Sequence, residues 1–133
     1  MRKLLWINVL IMPLALGAQN STYWPDPNWK APENAAAQTN PLASRPDLAA
    51  GGRKLFLRNC AECHAKDGTG KTKKHSANLL IPAVQLQSDG TLFWKITNGN
   101  TGKGMPAFSK LPEPERWQIV MYLRELKTLE AGR

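Results

Sequence analysis

The sequence predicts a small all-α domain, and two features of its residues point to that class. Three segments repeat apolar side chains at helical spacing, whereas no stretch alternates apolar and polar residues as a half-buried strand does. The chain has 133 residues, which suffices for one small domain with accessory segments but not for two full domains. Hydrophobic residues make up 42% of it, so we expect a packed core rather than a disordered chain. The predicted architecture is three to four short helices joined by long loops.

The start of the chain has the layout of a secretory signal peptide. A short basic start precedes an apolar run over residues 4–16, and small residues end the run. We predict that residues 1–18 are removed by cleavage after Gly17 or Ala18, and that the mature protein is periplasmic. An uncleaved leader that tethers the protein to the membrane is the alternative, although the run is short for a membrane span. Membrane contact is expected only if the leader is retained.

Residues 19–46 form a Pro-rich N-terminal arm in our interpretation. The arm has neither a helical nor a strand period, and it contains Pro25, Pro27, Pro32, Pro41 and Pro46. This composition predicts an extended segment that is stiffened by proline. Trp24 and Trp29 are unusual in a polar arm, so we expect both indoles to lie against the domain surface. A plain tether with incidental aromatic residues is the alternative.

The helical segments belong to one domain, which we assign to residues 47–133. Asp47 is the expected N-cap of the first helix. One face of this helix carries Leu48, Gly52, Leu55 and Phe56. A glycine inside a helix costs up to about 1 kcal/mol relative to alanine, so Gly52 indicates the close approach of another element.

Two further helices follow in the domain. The second is expected over Asp89–Asn98, where the next residue, Gly99, ends it. The third is expected over about Glu113–Lys127, with acidic residues near its start and basic residues near its end, as the helix dipole favours. Pro112 and Pro114 stand where a capping box would be, so we expect the third helix to begin late and to fray.

The chemistry of the chain lies in Cys60-Ala61-Glu62-Cys63-His64. This C-x-x-C-H pattern is the attachment signal for a c-type haem. The cysteines are three residues apart, so on a helical turn both sulfurs point the same way and reach two vinyl groups on one porphyrin edge. His64 follows directly and can turn its imidazole to the iron. A domain of about 80 residues has only a marginal core of its own, and a buried porphyrin would add apolar surface to it. We therefore expect the haem-free chain to be largely unfolded.

Other interpretations of these residues are weaker. A zinc site needs more ligands than the motif offers, and His75 is the only other histidine. A thioredoxin-like pair would follow a strand, whereas the preceding residues predict a helix; a plain disulfide is a further alternative. Residues 65–72 end in Gly-Lys-Thr like a phosphate-binding loop, but Ala65 replaces the first glycine and a helix precedes. We therefore expect no bound nucleotide.

An iron held by His64 needs a second axial ligand, and the candidates are His75, Met105 and Met121. Met121 lies on the apolar face of the last helix, where methionine usually fills the core. His75 is only 11 residues past His64, which is short for crossing to the opposite porphyrin face. Met105 lies between Gly104 and Pro106, which favour a tight and directed backbone beside a flat group. We favour Met105 as the distal ligand.

With these motifs, residues 48–127 resemble the class I mono-haem cytochromes c of the bacterial periplasmic kind. The segments that carry the resemblance are Gly52-x-x-x-Phe56, Cys60–His64, Ser76–Leu79, Gln87–Gly99 and Gly104–Phe108, followed by Trp117 and Tyr122. The resemblance implies a cytochrome c fold around one covalent haem c, in which the first and last helices cross with Gly52 and Phe56 against Tyr122.

The resemblance also implies the roles of the site residues. Cys60 and Cys63 would form thioether bonds to the haem, His64 would be the proximal iron ligand, and Met105 the distal one. Many relatives have a proline where Ser76 stands, near a carbonyl that accepts the second imidazole hydrogen. We expect Ser76 or Pro82 to mark that acceptor here.

The resemblance implies electron transfer without substrate turnover, so we expect an electron carrier rather than an enzyme. A haem-bearing electron-acceptor subunit of a periplasmic dehydrogenase or oxidase complex is one alternative, and a haem enzyme or gas sensor with an open distal site is another. The formal net charge of +8 suits redox partners with acidic docking surfaces. Lysines flank both ligand segments: Lys66, Lys71, Lys73, Lys74, Lys103 and Lys110. Export and the lack of a recognised module argue against nucleic-acid binding.

Overall fold

The computed structural model describes residues 26–131, and within that range the regular structure is helical apart from one β-bridge between Asn100 and Met105. The predicted signal peptide over residues 1–18 and Trp24 lie outside the described residues. The α-helices are α1 (Glu33–Ala36), α2 (Ala49–Asn59), α3 (Ala61–His64), α4 (Pro82–Gln85), α5 (Asp89–Asn98) and α6 (Glu113–Ala131). Short 3₁₀ turns cover Pro46–Leu48, Thr72–Lys74 and Thr101–Lys103. The all-α prediction is confirmed.

The crossing of α2 and α6 organises the domain. A Cβ atom at Gly52 would lie 1.9 Å from the backbone oxygen of Gln118, so only glycine lets the two helices approach this closely. One turn along, the rings of Phe56 and Tyr122 pack with their centroids 5.3 Å apart. The predicted contact of the first and last helices through these residues is confirmed.

Helix α5 completes the core against α6. The rings of Phe93 and Trp117 stack with their centroids 3.9 Å apart. The guanidinium of Arg116 lies over the Phe93 ring. Apolar side chains of the three long helices then form one cluster, whose most buried members are Phe56, Ile119 and Val120. The core therefore lies where α2 and α5 meet α6.

The helix starts differ in part from the predictions. Asp47 does not cap α2, because its carboxylate pairs with the Arg45 guanidinium at 2.8 Å and a 3₁₀ turn leads into the helix instead. Helix α5 has the predicted bounds, and the Ser88 hydroxyl accepts the Thr91 N–H as its N-cap. Helix α6 begins at Glu113 without delay, because Pro114 occupies the first turn, where a missing N–H costs nothing.

The described part of the arm, residues 26–46, packs along the domain and is not extended throughout. It contains the single turn α1, whose Ala36 carbonyl accepts a hydrogen bond from the Ser88 hydroxyl at 2.7 Å. The buried Asn40 side chain donates to the Trp117 carbonyl of α6 at 3.2 Å. A Cβ at Gly90 would lie 2.2 Å from the Ala35 oxygen, so α1 lies directly against the start of α5.

Candidate functional site

The two cysteines and His64 lie on one helical turn at the end of α2. Cys60 follows the last residue of α2, and its carbonyl accepts the N–H groups of Cys63 at 3.1 Å and His64 at 2.9 Å. Both thiols are free and half-buried. Side chains three positions apart on such a turn project to the same side, as two thioether bonds to one planar group require.

The Cys60 thiol and the element that precedes it bear on the thioredoxin-like alternative. Burial and, to a smaller extent, the neighbouring Cys63 together raise the pKa of the Cys60 thiol to about 12. Redox-active C-x-x-C pairs instead have an attacking thiol with a lowered pKa. Helix α2 also precedes the motif where a thioredoxin-like pair would have a strand. The raised thiol pKa and the preceding helix therefore disfavour a thioredoxin-like pair.

The imidazole of His64 is held by a backbone carbonyl. Its Nδ1 atom lies 3.0 Å from the Ala77 oxygen, so Nδ1 carries the hydrogen and Nε2 keeps a free lone pair. Burial lowers the pKa of His64 and the Ala77 bond opposes this, so the neutral, ligating form is favoured at neutral pH. We expected the acceptor at Ser76 or Pro82, whereas the carbonyl that meets Nδ1 is that of Ala77, the residue after Ser76.

Ser76 has a different role beside the motif. Its hydroxyl donates to the Cys63 carbonyl and accepts the Lys71 N–H at 2.8 Å. The first bond fastens the loop that follows α3 to the cysteine turn, and the second bond closes that loop on itself. Ser76 therefore positions the adjacent Ala77 carbonyl under the imidazole, which is an indirect contribution that the sequence pattern did not reveal.

Met105 lies in a closed loop between α5 and α6. Its N–H donates to the Asn100 carbonyl at 3.0 Å, and its own carbonyl accepts the Asn100 N–H at 2.9 Å. Gly99 and Gly104 turn the chain with φ angles of 63° and 88°, which side chains disfavour. The half-buried Met105 is thus presented by a short loop with paired ends.

The other two ligand candidates lie in different surroundings. His75 is exposed at the end of the 3₁₀ turn over Thr72–Lys74, where its backbone is left-handed with φ of 49°. Met121 lies on α6 between the buried residues Val120 and Tyr122. Within residues 26–131, no three His, Cys, Asp or Glu side chains come together as a metal-binding cluster.

Several apolar side chains that pack against the core are only partly covered by protein. They are Leu57, Leu79, Leu80, Ile81, Phe93, Phe108 and Leu111. By contrast, the six lysines that flank the ligand segments are all exposed. Among these lysines, Lys74 has a carboxylate partner, the Glu62 side chain at 3.4 Å. The domain therefore combines partly exposed apolar side chains with positive charge along the ligand segments.

Comparison with protein families identifies the domain. Residues 47–123, which are more than half of the chain, match the family described as cytochrome c oxidase, cbb3-type, subunit III. The chain belongs to this cytochrome c family. It therefore contains a mono-haem c-type cytochrome domain, for which membership implies covalent haem c and electron transfer with redox protein partners. No solved structure matches the chain.

The residues of this cytochrome c domain fit a covalent haem. Two free thiols lie on one turn, and the adjacent neutral imidazole has its Nδ1 hydrogen engaged and its Nε2 available. Bacterial cytochrome c domains are typically extracytoplasmic. Among the described residues, no helix combines the length and the apolar character that crossing a membrane requires.

Proposed function

We propose that the protein carries single electrons between periplasmic redox partners through one haem c. Cys60 and Cys63 would bind it by thioethers, with His64 as proximal and Met105 as distal iron ligand. The observation that carries the proposal is the fixed His64 ring, which the Ala77 carbonyl orients beside both cysteines. The domain over 47–133 would perform this role after removal of residues 1–18, with residues 19–46 remaining as the arm.

In this proposal the chain supplies geometry rather than acid–base chemistry. The bound haem supplies a one-electron couple between ferric and ferrous iron. The Ala77 hydrogen bond keeps the His64 tautomer and ring orientation unchanged, and the closed Met105 loop presents a thioether at a fixed place. A ligand set that does not move between oxidation states keeps the structural cost of electron transfer small.

The first test of the proposal is the identity of the distal ligand. The full chain is expressed in a host that matures c-type cytochromes, and its mass should include one haem and lack residues 1–18. Met105→Ala should abolish the weak far-red absorption band that reports methionine bound to ferric iron. Met121→Ala and His75→Ala, at the two rival positions, should retain that band. Colourless protein without added haem mass would contradict haem attachment, and loss of the band in either control would reassign the ligand.

The second test addresses the partner surface. The exposed lysines Lys66, Lys71, Lys73, Lys103 and Lys110 would steer an acidic redox partner, in addition to the paired Lys74. The second-order rate of electron transfer to such a partner should fall as ionic strength rises. A rate that is independent of salt would contradict electrostatic steering.

The family description favours one alternative within the same chemistry. The matched family is named after an oxidase subunit, so this chain would then be the electron-acceptor subunit of an oxidase complex. Purification from the native membrane in mild detergent separates the two cases. Stoichiometric co-purification with a larger oxidase would support the subunit, and a monodisperse free cytochrome would support the carrier.

A further inference from the structure

The N-terminal arm contacts the Met105 loop, defined here as residues 99–105, at the point where the loop begins. The indole Nε1 of Trp29 donates to the Gly99 carbonyl at 2.9 Å, across 70 positions of sequence. The Asn100 side-chain amide donates to the Asp26 carboxylate at 3.4 Å. Two arm residues therefore bind the two residues that open the loop.

These two loop residues are coupled to Met105 by backbone contacts. Asn100 exchanges both of its main-chain hydrogen bonds with Met105, at 2.9 and 3.0 Å. A Cβ at Gly99 would lie 2.5 Å from the carbonyl carbon and oxygen of Pro106, so Gly99 packs directly against the residue after Met105. A displacement of Gly99 or Asn100 must therefore displace Met105.

The indole of Trp29 is itself fixed on the domain. The Lys95 ammonium of α5 lies over its ring at 4.5 Å from the centroid. Further along the arm, Asn40 is bonded to the Trp117 carbonyl and Ala36 to the Ser88 hydroxyl. The Trp29 donor therefore acts from an anchored segment, unlike a donor on a free chain end.

We infer that the arm is a strap that keeps the Met105 loop closed, and that Trp29 is a positioning residue for Met105. This inference rests on the proposed ligation by Met105. A loop opens locally with a free energy set by the contacts that close it, so each hydrogen bond from the arm lowers the open population. The open loop is the state in which an external ligand can take the place of the thioether.

Imidazole titration of the ferric holoprotein measures this open population. Trp29→Phe keeps an aromatic ring under Lys95 but removes the N–H donor to Gly99. Loss of one such hydrogen bond should tighten apparent imidazole binding by about fivefold, read from the disappearance of the far-red methionine–iron band. Asp26→Ala removes the longer, partly buried contact to Asn100 and should act in the same direction but more weakly.

Gln87→Ala is the matched control. It removes one side-chain hydrogen bond, from the Gln87 amide to the Ala83 carbonyl at 2.7 Å, and leaves both contacts between the arm and the Met105 loop in place. The control should bind imidazole as the wild type does. Unchanged imidazole affinity in Trp29→Phe, or equal tightening in Gln87→Ala, would overturn the strap.

The ligation and the strap fail in different ways. If the wild-type ferric protein lacks the methionine–iron band, ligation by Met105 fails and the strap fails with it. If the band is present and both arm variants bind imidazole as the wild type does, the strap alone is wrong. A Trp29→Phe variant that is purified without haem would be replaced by Asp26→Ala, whose unchanged affinity would equally overturn the strap.

Discussion

Single atoms decide the geometry of this domain at two positions. At Gly52 the missing side chain lets α2 reach the backbone of α6. At His64 one carbonyl, that of Ala77, fixes the imidazole. The glycine is visible in the sequence as an anomaly inside a helical pattern. The carbonyl cannot be recognised in the sequence, because every residue type has one. The path of the loop determines which carbonyl lies beside the imidazole.

Gly52→Ala should destabilise the holoprotein strongly. The new methyl group would overlap the Gln118 carbonyl, which belongs to a rigid helix backbone and cannot move without separating α2 from α6. Overpacking of this kind costs about 1–3 kcal/mol or more, and denaturant unfolding followed in the haem absorbance would measure it.

Gly51→Ala is the control at the neighbouring position. There the added methyl would meet the Oε1 atom of the Gln118 side chain, which is a flexible end that can swing aside. The gain in helix propensity, about 1 kcal/mol, should then make this variant neutral or more stable. Equal destabilisation by both substitutions would show that close approach at Gly52 is not the cause.

At the scale of elements, helix bounds that depend on neighbouring residues were predicted correctly. Features that depend on contacts between distant residues were not. Helix α5 has the predicted bounds because its cap and its terminal glycine both lie next to the residues they affect. The predicted start of α2 was wrong because the Asp47 carboxylate pairs with Arg45 and does not cap the helix. The arm was predicted as extended because its partners, Ser88 and Trp117, are distant in sequence.

Arg124 joins α6 to the end of α4, to the segment that follows α4, and to the start of α5. It donates to the Gln85 and Gln87 carbonyls at 2.8 and 2.6 Å and pairs with Asp89 at 2.8 Å. Arg124→Lys keeps the charge but loses the planar set of donors, so it should cost about 1–3 kcal/mol of unfolding free energy.

The same substitution at Arg53, which is exposed on α2, is the control for Arg124→Lys. It should change stability by less than about 0.5 kcal/mol. Thermal unfolding of both holoproteins at one pH gives the comparison. A small effect at Arg124 would mean that solvent replaces its carbonyl contacts without loss.

At the scale of the whole molecule, a small core and a cofactor are expected to fold together. Several large apolar side chains that pack against the α2–α5–α6 cluster are only partly buried. The all-α class and the cysteine turn followed from the sequence alone. The anchoring of the arm did not, since hydrogen bonds between distant residues have no local pattern.

The double variant Cys60→Ala/Cys63→Ala should fail to retain haem and should be largely unfolded. Its far-UV circular dichroism should lose most of the helical signal of the holoprotein, because a core this small is marginal without the porphyrin surface. Ser44→Ala, at an exposed arm position away from the cysteine turn, provides a control that should remain helical. A cooperative thermal transition in the double variant would show that the polypeptide core suffices.

The three anchor points of the arm constrain its length as well as its composition. Trp29, Ala36 and Asn40 each meet a fixed partner on the domain. Inserting or deleting a residue between any two of them would shift one anchor out of register, because the short intervening segments have no slack to absorb the change. Homologues that share this docking should therefore vary in length before position 26 and keep an ungapped block from Trp29 to Asn40.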